Sequence, residues 1–244
     1  MSSSILDTPH PASLSPFLNA SSPSLRSLLH HPDYLPIRTY SRIPKPSSGE
    51  DGYFANTLAT SRTIPHVLTL RRRPHLLSLL PNTPPTWPAP TGSPTPIEDP
   101  DLILILDIAA PGVSGHPSTV HGGVLATSLD EAMSYAVALY APETGPKLVE
   151  DEQPDGPHVP PTPRGMLYTA QLDIRYKSPV AAPGYLVVRT KVLARVGRKF
   201  WVRAQAFQPQ DTEGGAVASP RTEGEPMRLT TDAMAFWMQT GPSL

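Results

Sequence analysis

One long helix has to be enclosed by everything that follows it. Residues 114–140, SGHPSTVHGGVLATSLDEAMSYAVALY, read as a polar glycine turn feeding a mostly apolar helix that Pro142 stops. His121-Gly122-Gly123 stands at the mouth of this helix, and Asp130-Glu131 lies two turns further in. The patterned segments around it read as strands. Leu102–Ile108 is a short run of branched apolar residues between Pro100 and Pro111-Gly112, which favours a buried strand over a helix. Leu167–Tyr176 alternates, setting Leu167, Thr169, Gln171, Asp173 and Arg175 against Tyr168, Ala170, Leu172, Ile174 and Tyr176. Gly184–Val196 and residues 198–207 read as a hairpin turned at Gly197, and residues 229–238 as a last strand. No helix separates the last four strands, so the sheet is expected to be largely antiparallel. The expected fold class is α+β: one helix laid on one curled antiparallel sheet, with an edge strand that invites dimerisation.

The length of chain that can build this core is set by proline. The sequence holds 33 prolines in 244 residues, and they crowd residues 1–100 and the patches 141–163 and 209–226. A core-forming part of about 130–150 residues remains, a common domain size. Residues 1–50, rich in Ser and Pro, are expected to be a flexible tail. Between Gly52 and Leu80, the spacing of Tyr53, Phe54, Leu58, Ile64, Val67, Leu68 and Leu70 predicts one or two short helices broken at Pro65, with Arg71-Arg72-Arg73 as a solvated helix end. Residues 81–100 are expected to be an extended proline-rich linker. The domain proper spans 101–240, with insertions at 141–165 and 209–228; the first is long enough to suggest a lid.

Several function classes are disfavoured at this point. A net charge of −1 with mixed signs gives no electrostatic case for nucleic acid. The absence of cysteine removes disulfides, thiolate nucleophiles and thiolate-held metals. His10, His30, His31, His66 and His75 show no paired spacing, so no metal is expected, and no cofactor is called for. No apolar run approaches the roughly 18 residues of a membrane span. Arg26, Arg38 and Arg42 leave mitochondrial targeting open, but Asp7, Asp33 and the prolines break a presequence pattern, so a cytoplasmic protein is expected.

The helix mouth carries the chemistry. Two glycines at a helix start admit close backbone approach, and their N–H groups point along the positive end of the dipole, an arrangement suited to a polarised carbonyl oxygen. Thr127, Asp130, Glu131 and Ser134 form a polar stripe, and a carboxylate on so apolar a helix needs a partner or a cleft. Gly122 and Asp130 are eight residues apart, about 12 Å along a helix, so they cannot easily serve one carbonyl within a single subunit. Two antiparallel helices across a two-fold axis would bring Asp130 of one chain opposite Gly122 of the other.

The segments HGGVLATSLDE, YTAQLDIRYKSPV and GRKFWVRAQAF, in that order, resemble the hotdog-fold thioesterase superfamily, and in particular acyl-CoA thioesterases with a His-Gly-Gly…Asp motif. The resemblance covers roughly residues 101–240. It implies a curved antiparallel sheet wrapped around one central helix, and hydrolysis of an acyl-CoA or acyl-carrier thioester at a site shared by a homodimer or a dimer of dimers. It implies Asp130 as the catalytic carboxylate, general base or nucleophile, and Gly122 as the amide that polarises the thioester carbonyl. His121 shapes the turn and the substrate's position, Gly123 joins His121 and Gly122 in the oxyanion and substrate-binding set, and Thr169 orients water or carboxylate. Some relatives carry Asn six residues before the His, where this chain has Gly115; His116 and Ser118 are candidates to replace it. Glu131 is the alternative carboxylate, and Arg175, Lys177, Arg198 and Lys199 are candidates for CoA phosphates, with solvated strand ends as the plainer reading.

Three other readings are weighed against this one. Gly112-Val113-Ser114-Gly115-His116 falls short of a nucleophile elbow because His116 stands where Gly is required, and the chain lacks the helices of a doubly wound sheet. A hotdog dehydratase or isomerase would need a histidine acid/base; His121 reads better as a turn residue, and His158 lies in the first insertion. A non-catalytic acyl-binding or assembly protein would keep the fold and use the proline-rich half for partners, but would need no buried carboxylate.

Overall fold

The structure is a computed structural model, described here for residues 23–87, 94–141, 166–209 and 227–240. Apart from their end residues, the two insertions, and with them the lid reading and His158, lie outside the described residues. Seven strands form one antiparallel sheet: β1 (Tyr34–Ile37), β2 (His66–Arg72), β3 (Leu102–Ile108), β6 (Leu167–Tyr176), β7 (Gly184–Val196), β8 (Lys199–Pro209) and β9 (Met227–Gln239). Their order across the sheet is β1-β2-β3-β7-β8-β9-β6. The short strands β4 (Ser114–His116) and β5 (Thr119–Val120) make a separate hairpin just before the long helix α2 (Gly122–Tyr140). The sheet curls around α2, which is the hotdog architecture.

The core forms where α2 meets the concave face of the sheet. Leu125, Leu129, Ala132, Met133 and Ala136 of α2 bury against Leu102, Leu104 and Leu106 of β3 and against Val188, Phe200, Val202, Ala233 and Trp237. The intervening residues of β3, Ile103 and Ile105, belong to a second core on the convex face with Leu25, Tyr34, Leu68, Leu70, Val187 and Phe207. The strand is apolar without alternation because both of its faces are covered. Its cover on the convex side is α1 (Pro23–Leu29), whose Leu25 is buried there.

The first hundred residues therefore differ from expectation. Residues 34–37 and 66–72 are not tail and helix but two further strands added beyond β3. The run Val67-Leu68-Thr69-Leu70 is buried throughout, and a short apolar run carries no period that separates a strand from a buried helix. Arg71 and Arg72 are the end of that strand; Arg72 donates to the Asp99 carbonyl at 2.9 Å. Pro36 is accommodated in β1 because β1 is an edge and needs no donor on its open side. The helix expected near Tyr53 is a single π-helical turn, Tyr53–Leu58. The end of the linker lies against the sheet: Gln205 accepts from the Ile97 amide at 2.8 Å and donates to the Thr95 carbonyl at 3.1 Å.

Strand β6 departs from strict alternation. Its register against β9 passes from Thr169↔Trp237 to Gln171↔Phe236, a bulge that leaves Ala170 unpaired. The phase shifts there by one residue. Leu167 before the bulge and Leu172 and Ile174 after it all pack toward the α2 side.

Candidate active site

Helix α2 starts at His121, whose backbone is extended (φ −64°, ψ 137°) and whose Nδ1 accepts from the Gly123 amide at 3.0 Å. His121 thus caps the helix through Nδ1, the role of a turn residue. The His121 carbonyl accepts from the amides of Val124 at 3.0 Å and Leu125 at 3.3 Å. Among the described residues, that leaves the Gly122 amide as the first-turn donor with no protein acceptor. The ring of His121 also accounts for Gly115. A Cβ at position 115 would lie 2.9 Å from that ring, so no side chain fits there. His116 is exposed on β4, beside a shallow cleft shared with Gly115 and Ser118. Among the described residues it makes no hydrogen bond to Asp130 or Thr169.

Asp130 and Thr169 are brought together. The Thr169 hydroxyl donates to Asp130 Oδ1 at 2.6 Å, joining α2 to the edge strand across 39 residues of sequence. The bulge at Ala170 makes this possible, because it puts Thr169 on the same face as Leu172 and Ile174. The Asp130 carboxyl is held above the usual carboxylate range by burial, first of all; the Thr169 hydrogen bond opposes the rise and the nearby Glu131 charge adds to it. A half-buried carboxylate with a raised pKa is a stronger base than a solvated one, the property a general base needs.

Glu131 is placed differently. It is 1% exposed. Arg42 grips it with two bonds, Nε to Oε1 at 2.7 Å and Nη2 to Oε2 at 2.6 Å, and the Ser41 hydroxyl donates to Oε1 at 2.5 Å. Its oxygens are committed to the N-terminal segment, so the polar stripe divides. Thr127, Asp130 and Ser134 keep partial exposure, and Glu131 turns into a buried ion pair. Sequence reasoning missed this because Arg42 lies 89 residues away in a stretch with no periodic signal.

Tyr176 is a second residue that the sequence did not mark. From the end of β6 its hydroxyl donates to the Gly122 carbonyl at 2.9 Å, and its ring lies 3.4 Å from where a Cβ on Gly122 would sit. The four basic candidates separate. Lys177 follows β6 at the helix mouth, whereas Lys199 pairs with Met238, which pairs with Tyr168 at the opposite end of β6. The eight residues from Tyr168 to Tyr176 span about 26 Å of strand. One protomer therefore does not gather Lys177 and Lys199 on a single phosphate group. Among the described residues no cluster of His, Asp or Glu could hold a metal, and no helix is long and apolar enough to cross a membrane.

Residues 118–214 match the family model described as thioesterase superfamily. An uncharacterised mitochondrial membrane protein of Saccharomyces cerevisiae, FMP10, is 32% identical over 93 residues, which are 38% of this chain and 30% of the relative. The chain thus spans well under half of that relative's length. Among solved structures, the Escherichia coli PaaI protein from the phenylacetic acid degradation operon is similar with a TM-score of 0.40, at 11% identity, over 58% of this chain and 74% of that one. A hypothetical thioesterase protein of Streptococcus pneumoniae, solved with coenzyme A, is similar with a TM-score of 0.39, at 12% identity, over 59% and 83%.

Proposed function

We propose that this hotdog chain is an acyl thioesterase, hydrolysing an acyl-CoA or acyl-carrier thioester to a free acid and a thiol. The observation that carries the reading is the 2.6 Å bond from Thr169 to a half-buried Asp130 on the central helix, supported by the family match over residues 118–214. Water attacks the thioester carbonyl carbon while the Asp130 carboxylate takes its proton; the C–S bond then breaks and the thiolate leaves, to be protonated. Thr169 fixes one carboxylate oxygen, so the other faces the water. The free Gly122 amide, at the positive end of α2, stabilises the negative charge that grows on the carbonyl oxygen.

Asp130 and Gly122 of one chain are about 12 Å apart along α2. The working site therefore pairs Asp130 of one subunit with Gly122 of another, in a homodimer that uses the open edge at β6. Glu131, bound by Arg42, is not the base. The similarity to a mitochondrial protein of yeast supports a mitochondrial address beside the cytoplasmic one.

The test is free-thiol release from a panel of acyl-CoAs, comparing wild type with Asp130→Asn. The expected loss in the variant is at least about 10³-fold, within the range for removing a general base, with the oligomer unchanged. An Asp130→Asn enzyme as active as wild type would remove Asp130 from the mechanism. A wild type that hydrolyses neither acyl-CoA nor carrier-bound thioesters would leave the non-catalytic acyl-binding reading in its place.

A further inference from the structure

The helix stripe that carries Asp130 is a floor between two walls. At 100° per residue, Gly123, Thr127 and Ser134 lie within about 60° of Asp130, while Glu131 and Tyr135 turn further round. On one side stands β6, with Thr169 on Asp130 and Tyr176 on the Gly122 carbonyl. On the other side stands the N-terminal segment 40–58. It is anchored by Ser41 and Arg42 on Glu131, by the Tyr135 hydroxyl on the Ser41 amide at 2.6 Å, and by the buried side chains of Ala55 and Leu58.

Tyr53 is what this segment presents to the floor. Its hydroxyl stands 3.4 Å from the Thr127 hydroxyl, one turn before Asp130. The ring is 50% exposed, although its surroundings hold it firmly. It packs edge-on against Phe54 with centroids 5.3 Å apart, and the Arg42 guanidinium that grips Glu131 lies 5.5 Å from the Phe54 ring. Tyr53 also opens the π-helical turn; such turns are uncommon and concentrate at functional sites. The preceding Asp51 takes a left-handed backbone (φ 56°), rare for a residue other than glycine, and its carboxylate pairs with Lys45. A locked segment that still leaves an aromatic ring half bare beside the proposed catalytic stripe is shaped to receive apolar surface.

We propose that Tyr53 is a specificity-determining residue, forming the wall opposite β6 along which an extended apolar acyl group lies. The inference rests on the thioester reading of the site. It commits the substrate class to thioesters whose acyl chain runs beyond about four carbons, because a chain held at Asp130 must cover about 5 Å, one helical turn, to reach this side chain.

The experiment measures kcat/KM for straight-chain acyl-CoAs from acetyl to palmitoyl, with wild type, Tyr53→Ala, Tyr53→Phe and Tyr53→Trp. The ratio of long-chain to short-chain kcat/KM is expected to fall at least about tenfold in Tyr53→Ala, a methylene-scale discrimination summed over a few contacts. Tyr53→Phe should restore it, and the bulkier Tyr53→Trp should move the optimum to shorter chains. A purely structural residue would lower all substrates in proportion, and parallel profiles in all three variants would overturn the proposal. Calorimetric binding of non-hydrolysable acyl-CoA thioethers separates it from the hydrolase reading. If wild type hydrolyses nothing but binds long-chain thioethers, with the preference lost in Tyr53→Ala, the wall stands and hydrolysis falls. If the preference persists in Tyr53→Ala, or wild type binds no thioether, the wall falls.

Discussion

At the scale of single residues, Asp130 sets function against stability. Burial raises its pKa, so the folded protein holds this proton more tightly than the unfolded chain does. A carboxyl shifted upward contributes its stability fully below the unfolded value of about 3.9. That contribution is lost as pH climbs through the raised value in the folded state. Near neutral pH the ionised Asp130 therefore works against the fold. Asp130→Asn keeps an oxygen for the Thr169 hydroxyl and removes the charge. It is expected to melt at a higher temperature than wild type near neutral pH, with the gap closing below about pH 4, where wild type is protonated as well. Thermal unfolding by circular dichroism across that pH range checks it; identical melting curves at neutral pH would show that the buried charge carries no cost. Wild-type hydrolysis should rise with pH through the raised value, since the base acts only when ionised. At this scale His121, Gly122, Gly123 and Asp130 were legible in the sequence because one helix spaces them. Thr169 came from the resemblance alone. Arg42 and Tyr176 were not legible, because only tertiary structure brings them to α2.

At the scale of elements, the bulge in β6 decides whether the edge strand can serve the helix. Strict alternation would put Thr169 and Leu172 on opposite faces, yet Leu167, Leu172 and Ile174 pack on the α2 side and Thr169 reaches Asp130. Deleting Ala170 restores alternation. Leu167, Thr169, Leu172, Ile174 and Tyr176 then stand at alternate positions of a plain strand, all on the α2 face, so the bonds to Asp130 and to the Gly122 carbonyl are both kept. The deletion is therefore expected to keep kcat/KM within about tenfold of wild type, as is Ala170→Gly, whereas a misplaced catalytic group would cost at least about 10²-fold. A deletion variant that loses activity on the larger scale in a thiol-release assay would show that the bulge sets the depth of Thr169 as well as its face. The bulge was invisible in LYTAQLDIRY, because inserting one small residue leaves the pattern looking like plain alternation. The apolar run of β3 held more information than was drawn from it. Leu102 to Leu106 without a polar residue implies a strand covered on both faces and flanked on both edges, and the five strands expected from residue 101 onward supplied no cover for the convex side.

At the scale of the whole molecule, residues 23–87 complete the domain instead of trailing from it. They supply β1 and β2, the convex-face core around Leu25 and Tyr34, and the segment that closes over α2. The joint between segment and helix is the Arg42–Glu131 pair, whose side chains are 9% and 0% exposed. Such a pair adds little by its mere presence, since desolvation offsets most of the attraction, but removing one partner strands the other charge in the interior. Arg42→Met alone is therefore expected to destabilise the protein by about 3–5 kcal/mol, and Glu131→Leu alone by a similar amount. The double variant should recover most of that loss, because both charges are gone and the space remains filled with apolar side chains. Urea unfolding of the four proteins measures the coupling directly. A strongly non-additive cycle means that the extension and the central helix unfold as one body, so that the wall carrying Tyr53 is as rigid as the helix it faces. Additive losses would mean that the extension is only laid against α2, and then it could neither hold Glu131 in place nor keep a substrate wall beside Asp130.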